Sequence, residues 1–274
     1  GWYGTGVYGG FSQGGKATDN TVVLKGKIPN GVTNLYGGYS VAGKDATSGN
    51  TLKVQSKDNQ AYSINNFEKM EFTLNNVSSG DTMLKVGHNY APTAQTFDWG
   101  NISVAEPEKW QKTASGSKRV TLYDGIALTI NNYVVTGQTD GDYEYGLSTN
   151  ETTTTTTPGA TTVVASKIYF DRNKYQNSKV EIDTGALPTS IYSSPYYKKY
   201  YGGTSTLGNI PNHNTLILKG SAAPSGCYFI GGWAQGAGDA TDNTVELTET
   251  AEAYSNGWYG TGVYGGFSQG GKAT

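Results

Sequence analysis

The sequence predicts an all-β protein made of short repeated units that stack on one another. The prediction depends on three observations: abundant glycine and aromatic residues, a recurring glycine-rich motif, and apolar residues that alternate with other residues after each copy of it. The 274 residues include 39 Gly, 21 Tyr, 7 Phe and 5 Trp. A disordered chain would lack so much aromatic surface to bury, and the glycines lack the every-third-residue spacing of collagen. This length fits one large domain or two smaller ones.

The glycine-rich motif reads Y-G-G-F-S-Q-G-G-K-A-T-D-N-T-V-V-L over residues 8–24. Looser copies begin at residues 36, 201 and 230, and a fifth opens at residue 264. Neighbouring Gly-Gly pairs lie 28, 29 or 34 residues apart (37 − 9, 231 − 202, 265 − 231). A unit this short cannot bury a face alone, so copies must pack on each other. The predicted repeat corners are Gly9, Gly10, Gly37, Gly38, Gly202, Gly203, Gly231, Gly232, Asn20, Asn50, Asn214 and Asn243.

A half-buried strand is predicted after each Asn-Thr step, because apolar residues alternate there with period two. The inward positions are Val22, Leu24, Leu52, Val54, Leu216, Leu218, Val245 and Leu247, and the outward ones are Val23, Lys53, Ile217 and Glu246. Asparagine tolerates left-handed backbone and suits a corner, and stacked asparagine amides can bond to each other as a ladder. We expect the Gly-Gly pair to form a turn that is closed to residues with a Cβ. The aromatic residues that flank the pair can form stacked columns.

A longer repeat encloses these units, since residues 1–18 and 257–274 are identical. The offset is 256 residues (265 − 9), which predicts a tandem array with this period. The chain begins inside the motif, so we expect it to be a piece of a longer protein. At ~28 residues per coil and ~4.8 Å between coils, one period would add roughly 40–45 Å to a rod.

The remaining segments carry strand and turn signals without the motif. We predict strands at 69–74, 82–86, 96–99, 102–104, 118–123, 126–130, 167–170 and 179–182, a turn at 124–125, and a short helical turn within 106–112. The predicted organisation is repeat coils at 1–66, coils without the motif at 67–147, a protruding Thr-rich loop or exposed strand at 148–162, coils with a Tyr-rich cluster at 163–200, and repeat coils at 201–274 with the next period from 257.

Charge and composition argue against several classes of function. Lys and Arg number 20 against 22 Asp and Glu, and no basic run is present, so nucleic acid is not an expected partner. No apolar run reaches the length of a membrane span. Cys227 is the only cysteine, which rules out a disulfide within this chain and predicts a buried, inert thiol.

The repeat unit Y-G-G-[FYW]-x-x-x-G-x-A-T-x-x-N-T-V-x-L resembles the repeats of large bacterial surface proteins, chiefly autotransporter-type adhesins. The block at 64–86 (I-N-N-F-E-K-M-E-F-T-L-N-N-V-S-S-G-D-T-M-L-K-V) is similar to a segment that alternates with those repeats. The resemblance implies a right-handed β-solenoid, or parallel β-helix, displayed outside the cell on the bacterial surface. We expect a structural or adhesive fibre without cofactors. Its expected partners are neighbouring copies of the repeat, other copies of the chain in filaments, and host or bacterial surface glycans or proteins.

Two other functions stay open at this stage. A carbohydrate- or protein-binding module would use aromatic rings that stack on a ligand, and the candidates are Tyr192, Tyr196, Tyr197, Tyr200 and Tyr201. A polysaccharide-degrading β-helix enzyme would need converging carboxylates with a basic partner. For the fold, the competitor is a string of β-sandwich domains, whose repeats of about 100 residues fit the Gly-Gly spacing less well.

The acidic residues that an enzyme or metal site could use have plainer interpretations. Asp140, Asp142 and Glu144 could surround Ca²⁺, but they lack the rest of an EF-hand-like loop, so a solvated turn is expected. Asp171 and Arg172 are expected to form a surface ion pair. His213 is expected at a corner or on the surface. We therefore predict no catalytic, cofactor-binding or metal-ligating residue.

Overall fold

The computed structural model of the chain is an all-β structure with several parallel sheets. It describes residues 5–28, 33–87, 95–113, 118–135, 137–150, 153–157, 160–184, 187, 198–220, 227–235, 238–248 and 262–274. The chain divides into two compact units, one of Gly1–Val135 with Leu147–Asp171 and the other of Thr136–Gly146 with Arg172–Thr274. Among the described residues, no helix has the length and apolar character needed to span a membrane.

In the first unit, successive strands return to the same three sheets. The first sheet has the order β1 (Thr5–Ser12), β3 (Thr33–Ser40), β6 (Ser63–Asn65), and the second has the order β2 (Thr21–Leu24), β4 (Thr51–Val54), β7 (Lys69–Thr73), β10 (Ile102–Ala105). The third contains β5 (Asn59–Ala61), β8 (Thr82–Val86), β11 (Lys118–Asn131) and β15 (Ala160–Lys174), with β9 (Thr96–Asp98) also paired to β11. The pairs in the first two sheets, and those of β5, β8, β9 and β11 in the third, are parallel.

The core of this unit is built from columns of residues in register across the second sheet. Leu24 pairs with Val54 and Val54 with Phe72, and all three side chains are buried. A second column runs through Val22, Leu52, Met70 and Ile102. The apolar side chains of each strand therefore pack against those of the neighbouring strands in the sheet, as the alternation predicted.

The second unit contains two parallel three-stranded sheets and one hairpin. One sheet has the order β16 (Lys179–Asp183), β18 (Thr215–Lys219), β20 (Thr244–Leu247), and the other has the order β17 (Lys198–Ser205), β19 (Cys227–Ala234), β21 (Gly262–Ser268). The hairpin joins β12 (Gln138–Asp140) to β13 (Tyr143–Thr149), whose last residues belong to the first unit.

The core of the second unit forms around β18 and β19, where Leu216, Leu218, Cys227 and Phe229 are buried together. The predicted burial of Cys227 is confirmed, and burial raises the pKa of its thiol. The expected burial of two residues was wrong. Ile217, placed outward, is buried, and Leu247, placed inward, is 48% exposed. Leu247 lies on β20, the last strand of its sheet, where no described strand pairs beyond it.

Strands occur at all the predicted positions of the motif-free segments, and the helical turn is a short helix, α1 (Pro107–Thr113). The predicted turn at Asp124–Gly125 was wrong, because β11 runs through it without a break. A Cβ on Gly125 would fall on the carbonyl oxygen of Val86 in the paired strand. The glycine therefore permits a close approach of two strands rather than a turn.

The Thr-rich tract contains a strand, the second of its two predicted alternatives, and the side chains of Thr154 and Thr155 are exposed. Its strand β14 (Thr153–Thr157) pairs antiparallel with the start of β15, so that Thr153 faces Val164 and Thr157 faces Ala160. Threonine is β-branched and favours extended backbone, which explains how a tract with nothing to bury still pairs.

Candidate functional site

The Gly-Gly pairs lie inside strands rather than in turns, which corrects the predicted turn. Gly9 and Gly10 belong to β1, and the other pairs occupy the equivalent place in β3, β17 and β19. None of these eight glycines has a φ in the left-handed region. Their lack of a Cβ is needed for packing, not for a special backbone conformation.

Each glycine of a pair makes room for a different neighbour. A Cβ on Gly9 would lie 2.5 Å from the carbonyl oxygen of Gly37 in the next strand of the sheet. A Cβ on Gly10 would lie 2.5 Å from Cγ of Asn20, inside the Asn side chain. The same clashes recur in the second unit, where Gly202 approaches the carbonyl of Gly231, and Gly203 approaches the amide of Asn214. The Gly-Gly pair and the asparagine thus form one packing unit.

In the first unit, Asn50 is completely buried and bonds to the chain on both sides. Its Oδ1 accepts hydrogen bonds from the backbone N–H and from Nδ2 of Asn20, at 2.9 and 3.0 Å. Its Nδ2 donates to the carbonyls of Ala17, Ala46 and Asn66 at 3.0, 2.6 and 3.2 Å. One side chain therefore joins three successive turns of the chain.

The second unit repeats this arrangement. The backbone N–H and Nδ2 of Asn214 donate to Oδ1 of Asn243 at 3.2 and 2.8 Å. Asn214 Nδ2 also donates to the carbonyl of Tyr175, and Asn243 Nδ2 to that of Pro211. Stacked amides of this kind give hydrogen-bond partners to buried polar groups, which would lower the stability of the fold if they were left unpaired.

The left-handed residue of each corner is the one before the asparagine, not the asparagine itself. Asp19, His213 and Asp242 have φ of 61°, 50° and 52°, and Gly49 has φ of 70°. The expected corner position of His213 is therefore observed. Asn59 was missed by the sequence analysis: it follows Asp58, with φ of 61°, is buried, and accepts from the N–H of Ile28. The Asp-Asn dipeptide it shares with residues 19–20 and 242–243 was the available signal.

Aromatic rings stack along the outer face of the sheet that contains β1. The rings of Tyr8 and Tyr36 are parallel with centroids 4.8 Å apart, and those of Phe11 and Tyr39 lie 5.6 Å apart. Tyr8, Phe11 and Tyr39 are 44%, 59% and 40% exposed, so this column presents an apolar surface to solvent. Burial, together with the neighbouring Tyr8 and Tyr39, raises the pKa of Tyr36.

The predicted ligand-stacking tyrosines are mostly outside the part of the chain that the structure describes. Tyr192, Tyr196 and Tyr197 fall there. Tyr200 is half-buried, stacks on Phe229 at 5.4 Å and packs against the core cluster, and burial raises its pKa. In the same unit, the ring of Tyr201 stacks on Trp233 at 4.7 Å, and Lys199 Nζ lies 4.9 Å from the Trp233 ring centroid.

The expected solvated turn was wrong for Glu144, whose carboxylate is bound by groups of the protein itself. Glu144 is buried and accepts hydrogen bonds from the side chains of Asn173, Ser205 and Asn209 and from the backbone N–H groups of Thr206 and Leu207. Asp142, in the turn of the hairpin, accepts a hydrogen bond from Nδ2 of Asn177. No cluster of His, Cys, Asp and Glu that could hold a metal occurs among the residues that the structure describes.

The expected surface ion pair of Asp171 with Arg172 was wrong. Asp171 is only 1% exposed and pairs with Arg119, through bonds of 2.6 Å from Nε and 3.0 Å from Nη2, and the Ser148 hydroxyl donates to it as well. Arg172 instead lies over the ring of Tyr143, 3.5 Å from its centroid. Adjacent residues of an extended strand point to opposite faces, which separates Asp171 from Arg172.

Comparisons of the chain with protein-family models, curated proteins and solved structures give no significant match.

Proposed function

We propose that this chain is one period of an extracellular structural fibre, a right-handed β-solenoid displayed on a bacterial cell surface, in which each coil of chain stacks on the next. The ordered return of successive strands to the same sheets supports this proposal. So does the register, which places Tyr8 on Tyr36 and Gly10 on Gly38 in β1 and β3.

The observation that carries the proposal is the strand pairing of the two copies of the repeated 18 residues. The second copy forms β21, whose sequence is that of residues 6–12 in β1. It pairs with β19 so that Gly266 faces Gly232, as Gly38 faces Gly10 in the first copy. The start of a following period is thus accommodated by the same contact that joins coils within a period.

The chemistry of the corners suits a fibre better than a catalyst. Asparagine amides, glycine pairs and stacked rings bind coil to coil and hold no reactive group. The buried carboxylates of Glu144 and Asp171 are occupied by donors from the chain itself, whereas a glycosidase would direct two carboxyl groups at its substrate. We therefore keep the prediction that the protein is not an enzyme.

Chains of one, two and three periods test the fibre. Electron microscopy should show rods whose contour length grows by a constant increment per period, because each period adds the same number of coils. Protease treatment and antibody labelling of intact cells should reach the protein if it is displayed outside. Flexible beads without a constant increment would contradict the fibre, and an inaccessible protein would contradict its location.

A second candidate function, an adhesin that binds carbohydrate or protein, is favoured by the exposed aromatic column. Phe11 and Tyr39 offer neighbouring, solvent-facing rings on which a sugar ring can stack. A glycan array probed with the chain should give binding that Phe11→Ala with Tyr39→Ala removes. Val41→Ala is the matched control, since Val41 is also 59% exposed but has no ring. Equal binding by all three proteins would exclude this column as the ligand surface.

A further inference from the structure

Tyr8 and Tyr36 place two phenol rings in contact on neighbouring strands of the first unit. The two residues are paired in register across β1 and β3, and their rings are stacked at an interplanar angle of 9° with centroids 4.8 Å apart. Tyr39 also lies near Tyr8, but its ring is tilted by 70° and its centroid is 5.8 Å away. The in-register pair therefore holds equivalent edges of two identical rings side by side.

A small molecule in solvent can reach this pair. Tyr8 is exposed, and Tyr36 is half-buried although β3 has a strand on each side. A preceding strand does not remove the exposure of the first residue. Tyr264 is the equivalent of Tyr8 in the second copy of the 18-residue sequence, pairs with Ile230 of β19, and is still 39% exposed.

Other stacked tyrosines of the chain lie on different neighbours. Tyr200 stacks on Phe229 and Tyr201 stacks on Trp233, so neither contact joins two phenols. Tyr228 and Tyr264 are 6.1 Å apart with a tilt of 32°, and they are not paired in register. The contact of Tyr8 with Tyr36 thus combines two phenols, parallel rings and access from solvent.

We propose that Tyr8 and Tyr36 are a site of oxidative cross-linking, at which hydrogen peroxide and a peroxidase join the two rings as dityrosine. Each phenol gives up one electron and one proton, and the two phenoxyl radicals form a carbon–carbon bond between their Cε atoms. The hydrogens on these two carbons then move to the phenol oxygens, which restores the aromatic rings. Overall, the tyrosines lose two hydrogen atoms, the O–O bond of the peroxide breaks, and two molecules of water form.

The cross-link ties β1 to β3 in a chain whose only cysteine cannot form an internal disulfide. It closes a loop over residues 8–36, and a covalent loop restricts the unfolded chain. We expect hydrogen exchange in β1 to slow by at least about tenfold in the linked protein. The inference rests on the proposed function only for the supply of the oxidant, which a location outside the cell would provide.

Treatment of the folded chain with hydrogen peroxide and a haem peroxidase tests the site. Trypsin cuts after lysine, so Tyr8 lies in peptide 1–16 and Tyr36 in peptide 28–44. Mass spectrometry should find these peptides joined with the loss of two hydrogen atoms, and fragmentation should locate the bond at Tyr8 and Tyr36. In a mixture of isotope-labelled and unlabelled chains, each joined pair should carry a single label, because the link forms within one chain.

Two phenylalanine variants separate the stacked pair from its surroundings. Tyr36→Phe keeps an aromatic ring but removes the phenol, and it should lower the yield of the joined peptides at least about tenfold, because the reacting groups are no longer held together. Tyr39→Phe is the matched control. Tyr39 lies in the same peptide and is exposed, but its ring is not parallel to that of Tyr8, so the yield should stay unchanged.

Oxidation in urea completes the test, since unfolding should abolish the preference for Tyr36 over Tyr39. Equal losses of yield in the two variants, joined peptides with mixed labels, or no joined peptides from the folded chain would overturn the inference. These readouts use single chains and do not depend on rods. Rods without the cross-link would leave the fibre standing, and a cross-link in a chain that forms no rods would refute only the fibre.

Discussion

Replacing Asn50 with alanine tests whether the asparagine amides hold the stacked strands together. The substitution removes an Oδ1 that accepts two bonds from Asn20 and an Nδ2 that donates to the carbonyls of Ala17, Ala46 and Asn66. Asn50 is completely buried, so water cannot easily replace these bonds. Asn20→Ala is the matched control, because Asn20 occupies the first position of the same ladder and is only half-buried.

The expected magnitudes differ between the two variants. A buried polar group left without a partner costs ~1–3 kcal/mol, and Asn50→Ala leaves at least two of them, so we expect a loss of roughly 2–5 kcal/mol. Asn20→Ala loses the amide–amide bond at a site that water can reach, and a bond of that kind contributes about 0.5–1.5 kcal/mol.

Native-state hydrogen exchange measures both losses locally. Opening free energies of β2 and β4 should fall by these amounts, while β18 in the second unit serves as an internal reference. This assay avoids treating a chain of two units as a two-state system. If Asn50→Ala and Asn20→Ala lower the stability of β4 equally, the amide ladder is not what holds these strands together.

Three further variants probe the packing, the buried ion pair and one corner. Gly38→Ala should destabilise the first unit by about 1–3 kcal/mol or more, because the added Cβ would fall on the carbonyl oxygen of Ala17. Gly14→Ala is the control: the space around Gly14 is open, so this variant should leave the opening free energies unchanged in the same hydrogen-exchange experiment. Asp171→Asn should cost the first unit roughly 2–4 kcal/mol, less than a fully buried pair because Arg119 is half exposed, and unchanged unfolding in urea would contradict this. The pKa of Asp45 is lowered to about 2, chiefly by the Ser48 hydroxyl and then by backbone N–H groups. Its stabilising effect should therefore be complete above the ordinary carboxyl pKa and be lost as the pH falls toward 2. A carboxyl NMR titration should show Ser48→Ala raising that pKa, and a wild-type midpoint near 3.8 would refute the assignment.

The strands after Asn-Thr could be predicted because their signal is local. Period-two alternation requires only that one face be buried, and the register of Leu24 with Val54 follows from aligning the motif with itself. The identical ends of the chain were likewise visible in the sequence alone. Such signals survive without knowledge of the tertiary structure.

The Gly-Gly pairs show where local signals fail. Glycine usually marks a turn, but here a carbonyl from one neighbouring strand and an asparagine amide occupy the space of the missing Cβ atoms. The same cause explains Gly125, which admits the Val86 carbonyl inside a continuous strand. Only the pairing of strands distant in sequence distinguishes these cases from turns.

The buried carboxylates were misjudged for a related reason. Asp171 stands next to Arg172 in sequence, yet its partner Arg119 is 52 residues away, on the neighbouring strand of its sheet. The sequence around Glu144 is that of a solvated hairpin residue. In the structure, however, its carboxylate accepts hydrogen bonds from Ser205 and Asn209, which are distant in sequence. Acidic residues reveal their roles only when the donors that surround them are known.

The burial gradient across each sheet indicates how the stability of such a chain should depend on its length. In the second sheet of the first unit, Leu52 on an inner strand is fully buried while Val22 on the outermost strand is 6% exposed, and in the second unit Leu218 is 2% but Leu247 is 48% exposed. In the second unit the terminal strand β20 leaves Leu247 exposed, whereas β18, which has neighbours on both sides, buries Leu218. Stability in this arrangement is a sum of interfaces between neighbours, so each added period covers one exposed end and supplies another, and the number of interfaces grows while the number of ends stays the same. Amide exchange at Leu247 should therefore slow by at least an order of magnitude when a second period follows, if the burial of β20 depends on further coils. Unchanged exchange there would mean that β20 is a true terminus of its sheet.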